Sequence, residues 1–488
     1  MKTSEITDRA LDAAGSVKDF ASGLIRPSVR LGVTGLANAG KTVFITSLIH
    51  NLMAGGRLPF FDAYAEARIN RVYLEPQPDD AVPRFDYEGH IADLTRPSRH
   101  WPESTRRLAQ VRLTIEYESR DFLKRQLGRN RLHVDIVDYP GEWLLDLPLM
   151  NLSYSAWAGM AIAQSRDKPR AAHAKAFHDL LATLDPEASQ DEETARKLAE
   201  AFTDYLRNCR KDADALIASP PGRFLMPGDL EGSPALTFGP LVAAENGSAP
   251  SGSLWSMMER RFEAYKAHVV RPFFRDHFAR LDRQIVLVDT LAAINAGQKG
   301  LAQLEHTLGD ILACYRPGAN SWLNALLRRR IDRIVFAATK ADHLHHTSHD
   351  RLEAILGRLT QNAIHRAQFA GAEVKVLALA AVRATREGEV THGGERLPCI
   401  LGYPIKGEKL DGEVFDGETE YAVFPGDLPE DPEKLLGAPQ SRKRAADPMH
   451  FVRFRPPLVE DAGSPTPGAL PNIRLDRALN FLIGDKLT

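Results

Sequence analysis

A chain of 488 residues is too long for one compact core and predicts about two to four domains. Its formal charge of −2, with 43% hydrophobic and 26% charged residues and no long basic run, excludes a nucleic-acid binder and describes an ordinary soluble protein. Three cysteines (Cys209, Cys314, Cys399) stand far apart without metal-ligand spacing, as expected in a reducing cytoplasm, and no apolar run approaches the length of a membrane span.

Residues 1–28 do not read as a signal peptide. They predict an amphipathic helix with Leu11, Ala14, Val17, Phe20 and Leu24 on one face, packed on its own domain, because the polar face is weakly basic for a membrane surface. Residues 29–142 read as the first part of an α/β core. A β-like run with Leu31 and Val33 leads into Gly35-Leu-Ala-Asn-Ala-Gly40-Lys41-Thr42, and Phe44, Ile45, Leu48, Ile49 and Leu52 then recur at helical spacing. Strand, glycine loop and helix in that order form a phosphate-binding loop. Its backbone N–H groups, from Gly35 through Ala37, Asn38, Ala39 and Gly40 to Val43, surround the phosphates. Lys41 places a charge on the β- and γ-phosphates, and the Thr42 hydroxyl binds Mg²⁺.

Residues 55–110 are rich in proline and poor in periodicity, and sit where a nucleotide-sensing switch belongs. Thr105 is the expected switch threonine for Mg²⁺ and γ-phosphate, with Ser104 and Thr95 as alternatives. Arg106 or Arg107 is either an internal arginine finger or part of a solvated basic pair. Alternating runs predict strands over 111–117 and 132–138. The second ends in Asp138-Tyr-Pro-Gly141, where Asp138 would hold Mg²⁺ and the Gly141 N–H would meet the γ-phosphate. Glu142 then stands where many GTPases place the glutamine that orients water, which predicts slow hydrolysis.

Residues 143–282 turn helical and read as an insertion, with helices near 197–209 and 254–281 whose aromatic residues form a core. The α/β core resumes over 283–386. The run Gln284–Asp289 predicts a buried parallel strand, and Asp289 resembles a metal-holding aspartate but lacks the following glycine. A helix over 298–315, a strand over 331–337, a helix over 350–369 and a strand over 374–379 follow. Residues 387–470 predict a small β-rich insertion, and 471–488 a helix that closes the core. The cluster His343, His345, His346 and His349 reads as solvated surface, for want of a carboxylate or cysteine partner.

Thr339-Lys340-Ala341-Asp342 bears on the base. Guanine presents adjacent N1–H and N2–H donors that one carboxylate accepts, whereas adenine has no such pair. Asp342 is the expected guanine reader, with the Lys340 stem covering the base. This stretch resembles the NKxD element of GTPases, with threonine in place of asparagine, and Ala380-Ala381-Val382 stands where those proteins carry the SAx element. Together GLANAGKT, WPEST, DYPGEW, the helical insertion and TKAD resemble the YcjX-type bacterial stress-protein family. The resemblance implies an α/β P-loop GTPase with GTP/GDP and Mg²⁺ as ligands, protein partners or an activator reached through the insertions, and a cytoplasmic place linked to stress responses and, through partners, to the inner membrane. The expected function is a switch with slow Mg²⁺-dependent GTP hydrolysis. The alternatives are a nucleotide-binding scaffold with negligible turnover, or an ATPase.

Overall fold

The computed structural model describes residues 27–488 apart from 37, 122–129, 169, 213–219, 242–249, 314–330, 393–394, 411, 437–448 and 460–467. The N-terminal amphipathic helix and Ala37 of the glycine loop thus lie outside the described residues. Seven strands, β1 (Ser28–Gly35), β2 (Ile69–Glu75), β3 (Ala109–Tyr117), β4 (Asn130–Asp138), β5 (Arg283–Val288), β6 (Arg333–Ala338) and β7 (Glu373–Ala378), form one sheet. Their spatial order is β2–β3–β4–β1–β5–β6–β7. β1 is parallel to both β4 and β5, and β6 and β7 extend the parallel set. β2 and β3 run antiparallel at one edge.

Helices α1 (Lys41–Met53), α2 (Tyr87–Thr95), α3 (Tyr154–Ser165), α4 (Glu192–Lys211), α5 (Leu254–Tyr265), α6 (Gly297–Ala313), α7 (His349–Leu359), α8 (Gln361–Phe369) and α9 (Leu475–Ile483) cover or connect the strands. Successive strand residues point to opposite faces. Ile285, Leu287, Val335 and Ala337 therefore pack with the apolar faces of α1, α2 and α9, and Val286, Val288, Ile334 and Phe336 with those of α6 and α7. Covered on both sides, β5 is buried along its whole length, which is why it reads as an unbroken apolar run. At the N-terminal ends of the strands the buried Arg283 pairs with Asp332 at 2.6 Å and Asp485 at 2.8 Å, tying β5 to β6 and to the chain beyond α9.

Residues between β4 and β5 build a separate apolar cluster. Trp157 of α3 stacks on Phe262 of α5 at 5.0 Å, and Phe202 of α4 and Phe238 meet Trp157 edge-on. α4 has well-matched ends. Asp191 caps the Thr194 N–H, acids fill the first turn, and Arg210 and Lys211 fill the last.

Several expectations need correction. The stretch 55–110 holds β2 and α2; β2 is a half-exposed edge strand whose mixed polarity hides its period. The helix expected over 350–369 breaks at Thr360, whose hydroxyl bonds back to the Leu356 carbonyl at 2.7 Å. The stretch 254–281 is interrupted by a π turn at Lys266–Val270, and α9 gives way to a 3₁₀ turn at Gly484–Leu487. Near the C-terminus β8 (Arg386–His392), β9 (Glu395–Gly402), a small hairpin of β10 (Lys409–Leu410) and β11 (Glu413–Val414), and β12 (Tyr421–Val423) are present. Within the stretch expected to be β-rich, Phe451–Phe454 alternates in polarity but is not a strand; it forms one isolated bridge, Pro404 to Phe454. No helix among the described residues is long and apolar enough to cross a membrane.

Trp157, 1% exposed, is the hub of the helical cluster. Trp157→Ala is expected to cost about 3–5 kcal/mol in urea unfolding; a loss below about 1 kcal/mol would show that the cluster repacks around the void.

Candidate functional site

The C-terminal ends of β4, β1, β5, β6 and β7 lie side by side, and each leads into a segment singled out in the sequence. Open parallel sheets bind ligands along this edge, where the order of strands reverses, and here the reversal falls at β1. A cavity of about 360 Å³ opens there. Asn38 to Phe44, Ser104 and Thr105 line one end, and Thr339, Lys340, Asp342, Ala381 and Val382 line the other. Gly35, Asp138 and Gly141 do not line it; Gly35 and Asp138 bond to Lys41 and Thr105, which do, and Gly141 packs on Gly35.

At the first end Asn38 and Gly40 take left-handed backbone angles, φ 61° and 84°, which turn the chain from β1 into α1. The N-cap of α1 is Gly40, which has no side chain to accept from the first N–H groups of the helix. Lys41 Nζ donates to the Gly35 carbonyl at 2.9 Å. Burial pushes the Lys41 ammonium down from its ordinary range, while Glu142 and then Asp138 oppose that shift by their charge. Thr105 donates to Asp138 Oδ2 at 2.8 Å and stands 3.2 Å from the Thr42 hydroxyl. Burial pushes Asp138 up to about 6 although Lys41 and the Thr105 hydroxyl pull it down. Its Oδ1 has no hydrogen-bond partner among the described residues. Gly141 lies so close to β1 that a Cβ would stand 1.8 Å from the Gly35 oxygen. Of the alternatives to Thr105, Ser104 lines the cavity, whereas Thr95 donates to Ile91 O inside α2. Arg106 pairs with Glu103 on the surface, and Arg107 is exposed.

Glu142 is buried, with Arg210 Nη2 of α4 at 2.6 Å from its Oε1. No local spacing predicted this contact.

At the second end Asp342 is 3% exposed, and its Oδ2 accepts the Ala384 N–H at 2.8 Å. The Thr339 hydroxyl donates to Val288 O at 3.3 Å, so it faces β5. Lys340 takes φ 61° and pairs with the Asp289 carboxylate. Asp289 thus has two tasks the sequence did not reveal, since it also caps the Ala292 N–H at 3.1 Å. The Ala381 carbonyl accepts the Ser47 hydroxyl at 2.5 Å, joining this loop to α1.

Sequence reasoning missed Trp101, His343, Ile405, Arg453 and Phe454 on the cavity wall. Trp101 Nε1 donates to Phe454 O at 2.6 Å, and the His343 ring meets Phe454 edge-on at 5.2 Å. The alternation of Phe451 to Phe454 was a signal of burial, not of location. The histidine cluster is solvated surface only in part: His346 is exposed and His345 half-buried, but His343 and His349 are buried, and His349 Nε2 lies 2.9 Å from Ala341 O. The carboxylate absent from the local sequence is Glu387 of β8, 2.7 Å from His346 Nδ1.

Residues 29–487 match the family model described as YcjX-like family, DUF463. A protein of Escherichia coli (strain K12) named Ras-like GTPase YcjX is 36% identical over 469 residues, covering 94% of this chain and 96% of that one. Its namesake in Shewanella oneidensis (strain MR-1) is 34% identical over 480 residues, covering 94% of each. With the match running from β1 to the turn beyond α9, the chain belongs to the YcjX-like family.

Proposed function

We propose that the chain is a P-loop GTPase that binds guanine nucleotide with Mg²⁺ in this cavity and hydrolyses GTP slowly as a nucleotide-dependent switch. One observation carries the reading: a single cavity has Lys41 and Thr42 at one end and Asp342 at the other. The name Ras-like GTPase borne by the two relatives supports it. The phosphates lie against Gly35 to Val43, with Lys41 as counter-charge and the Gly141 N–H at the γ-phosphate. The base lies between Lys340 and the 381–382 backbone, and Asp342 accepts its two donors.

The residues near Lys41 fit Mg²⁺. Thr42, Thr105 and Asp138 offer hard oxygen ligands, and the orphaned Asp138 Oδ1 is a buried acceptor in want of a cation. Bound there, the ion would neutralise charge that develops on the transferred phosphoryl group. Glu142 is held by Arg210, so it is not free to orient the attacking water as a glutamine would. That same contact favours a second reading, a nucleotide-stabilised scaffold with negligible turnover. An ATPase is disfavoured by the acceptor at Asp342. Segments 143–282 and 387–470 are insertions that report the nucleotide state to a protein partner or activator, in a cytoplasmic stress response that reaches the inner membrane only through partners.

Calorimetry with GTP, GDP and ATP in the presence of Mg²⁺ tests the base reading. Asp342→Asn is expected to weaken GTP by about 100-fold, the loss of a charged hydrogen-bond pair; equal affinity for ATP and GTP in the unaltered protein would sink the guanine assignment. Single-turnover hydrolysis on the same samples separates switch from scaffold. Asp138 yields a stability test. Its folded pKa, about 6, lies above the unfolded value of 3.8, so its ionisation destabilises the nucleotide-free protein as pH rises through that window. Asp138→Asn should stabilise the metal-free protein by about 2–3 kcal/mol at pH 8 and lose that gain toward pH 4 while abolishing the Mg²⁺ dependence of binding. A pH-independent effect would remove the buried-carboxylate account.

A further inference from the structure

Glu142 follows Gly141 directly, and its side chain is fixed. It is 6% exposed, and Arg210 Nη2 lies 2.6 Å from Oε1, an ion pair whose N–H is not aligned as a hydrogen bond. Arg210 comes from the last turn of α4, about 70 residues further along the chain. The backbone around Glu142 is clamped by the same helical segment. Asp146 accepts the Gly222 N–H at 2.6 Å and the Tyr265 hydroxyl at 2.5 Å, and a Cβ on Gly222 would stand 1.8 Å from the Glu142 carbonyl oxygen. The carboxylate therefore stays where it is when charge arrives next to it.

The charge that arrives is negative. Around Lys41 stand two anions, Asp138 and Glu142, and one further cation, Arg210. Mg²⁺ would take up Asp138. Glu142 has no metal to answer it, and in a dry site an unpaired carboxylate repels a terminal phosphate far more than it would in water. We propose that Arg210 determines specificity for the triphosphate: by neutralising Glu142 from the helical segment, it allows the γ-phosphate to bind beside Gly141. The inference rests on the guanine-nucleotide reading. GDP, lacking that phosphate, feels Glu142 less.

Affinities for Mg²⁺–GDP and for a non-hydrolysable GTP analogue, measured on the full chain, test this. Arg210→Ala is expected to weaken the analogue by about tenfold or more and GDP by less than about threefold. Arg210→Lys should retain most of the discrimination, and adding Glu142→Gln to Arg210→Ala should restore it. Glu142→Gln alone should raise the ratio of analogue to GDP affinity, which keeps the test open if Arg210→Ala does not fold. Equal losses for both nucleotides, or no restoration by Glu142→Gln, would overturn the role of Arg210 while leaving the site standing. If the unaltered protein binds neither nucleotide, the nucleotide reading itself falls and the inference falls with it.

Discussion

β1 lies between β4 and β5 in parallel with both, and that pairing decides which loops meet. Val33 is level with Asp138 on one side, and Gly35 is level with Leu287 on the other. Backbone hydrogen bonds fix those registers, so the turn into α1, the Asp138 carboxylate and the Asp289 cap emerge at nearly the same height. The two glycines then allow an approach that no side chain would permit, with Gly141 resting on the carbonyl of Gly35. Because that carbonyl also receives the Lys41 ammonium, the loops after β1 and β4 form one unit.

The electrostatics of this unit are unfavourable in the protein alone. Lys41 is pushed down and Asp138 pushed up, each because burial penalises its charged form more than its neighbours compensate. A charged ligand with its counter-ion reverses both penalties at once. The end of the cavity lined by Thr339 to Asp342 is quieter. Asp342 accepts a backbone N–H, and Lys340 pairs with Asp289, so both side chains are held in place. Preorganisation of that kind lowers the ordering cost of binding.

What could be read from the sequence follows from where the physics is local. The glycine loop, Asp138-x-x-Gly141 and Thr339 to Asp342 are fixed-spacing motifs, each set in the turn at a strand end. β5 was legible as a continuous apolar run, since both faces are covered. β2 was hidden because an edge strand keeps no clean period, and β8 because Arg386, Glu387, Gly388 and Glu389 lower its apparent propensity. Contacts across long separations left no trace at all. Asp289 was visible as an aspartate without its glycine, but its hold on Lys340 needed the adjacency of β5 and β6. Glu142 was visible as an odd residue, but not the arginine that answers it.

The strand order has a further consequence for assembly. β3 and β4 are near in sequence and antiparallel, and the aromatic cluster of α3, α4 and α5 closes among residues that lie between β4 and β5. β1, by contrast, waits for β5, a partner some 250 positions later, as the Arg30 N–H on Asp282 illustrates. Pairings so distant carry a large loop-closure entropy and form late. A chain emerging N-terminal first thus holds its glycine loop open on one flank until the whole helical segment has followed it, and the cavity closes only when β6 and β7 have joined.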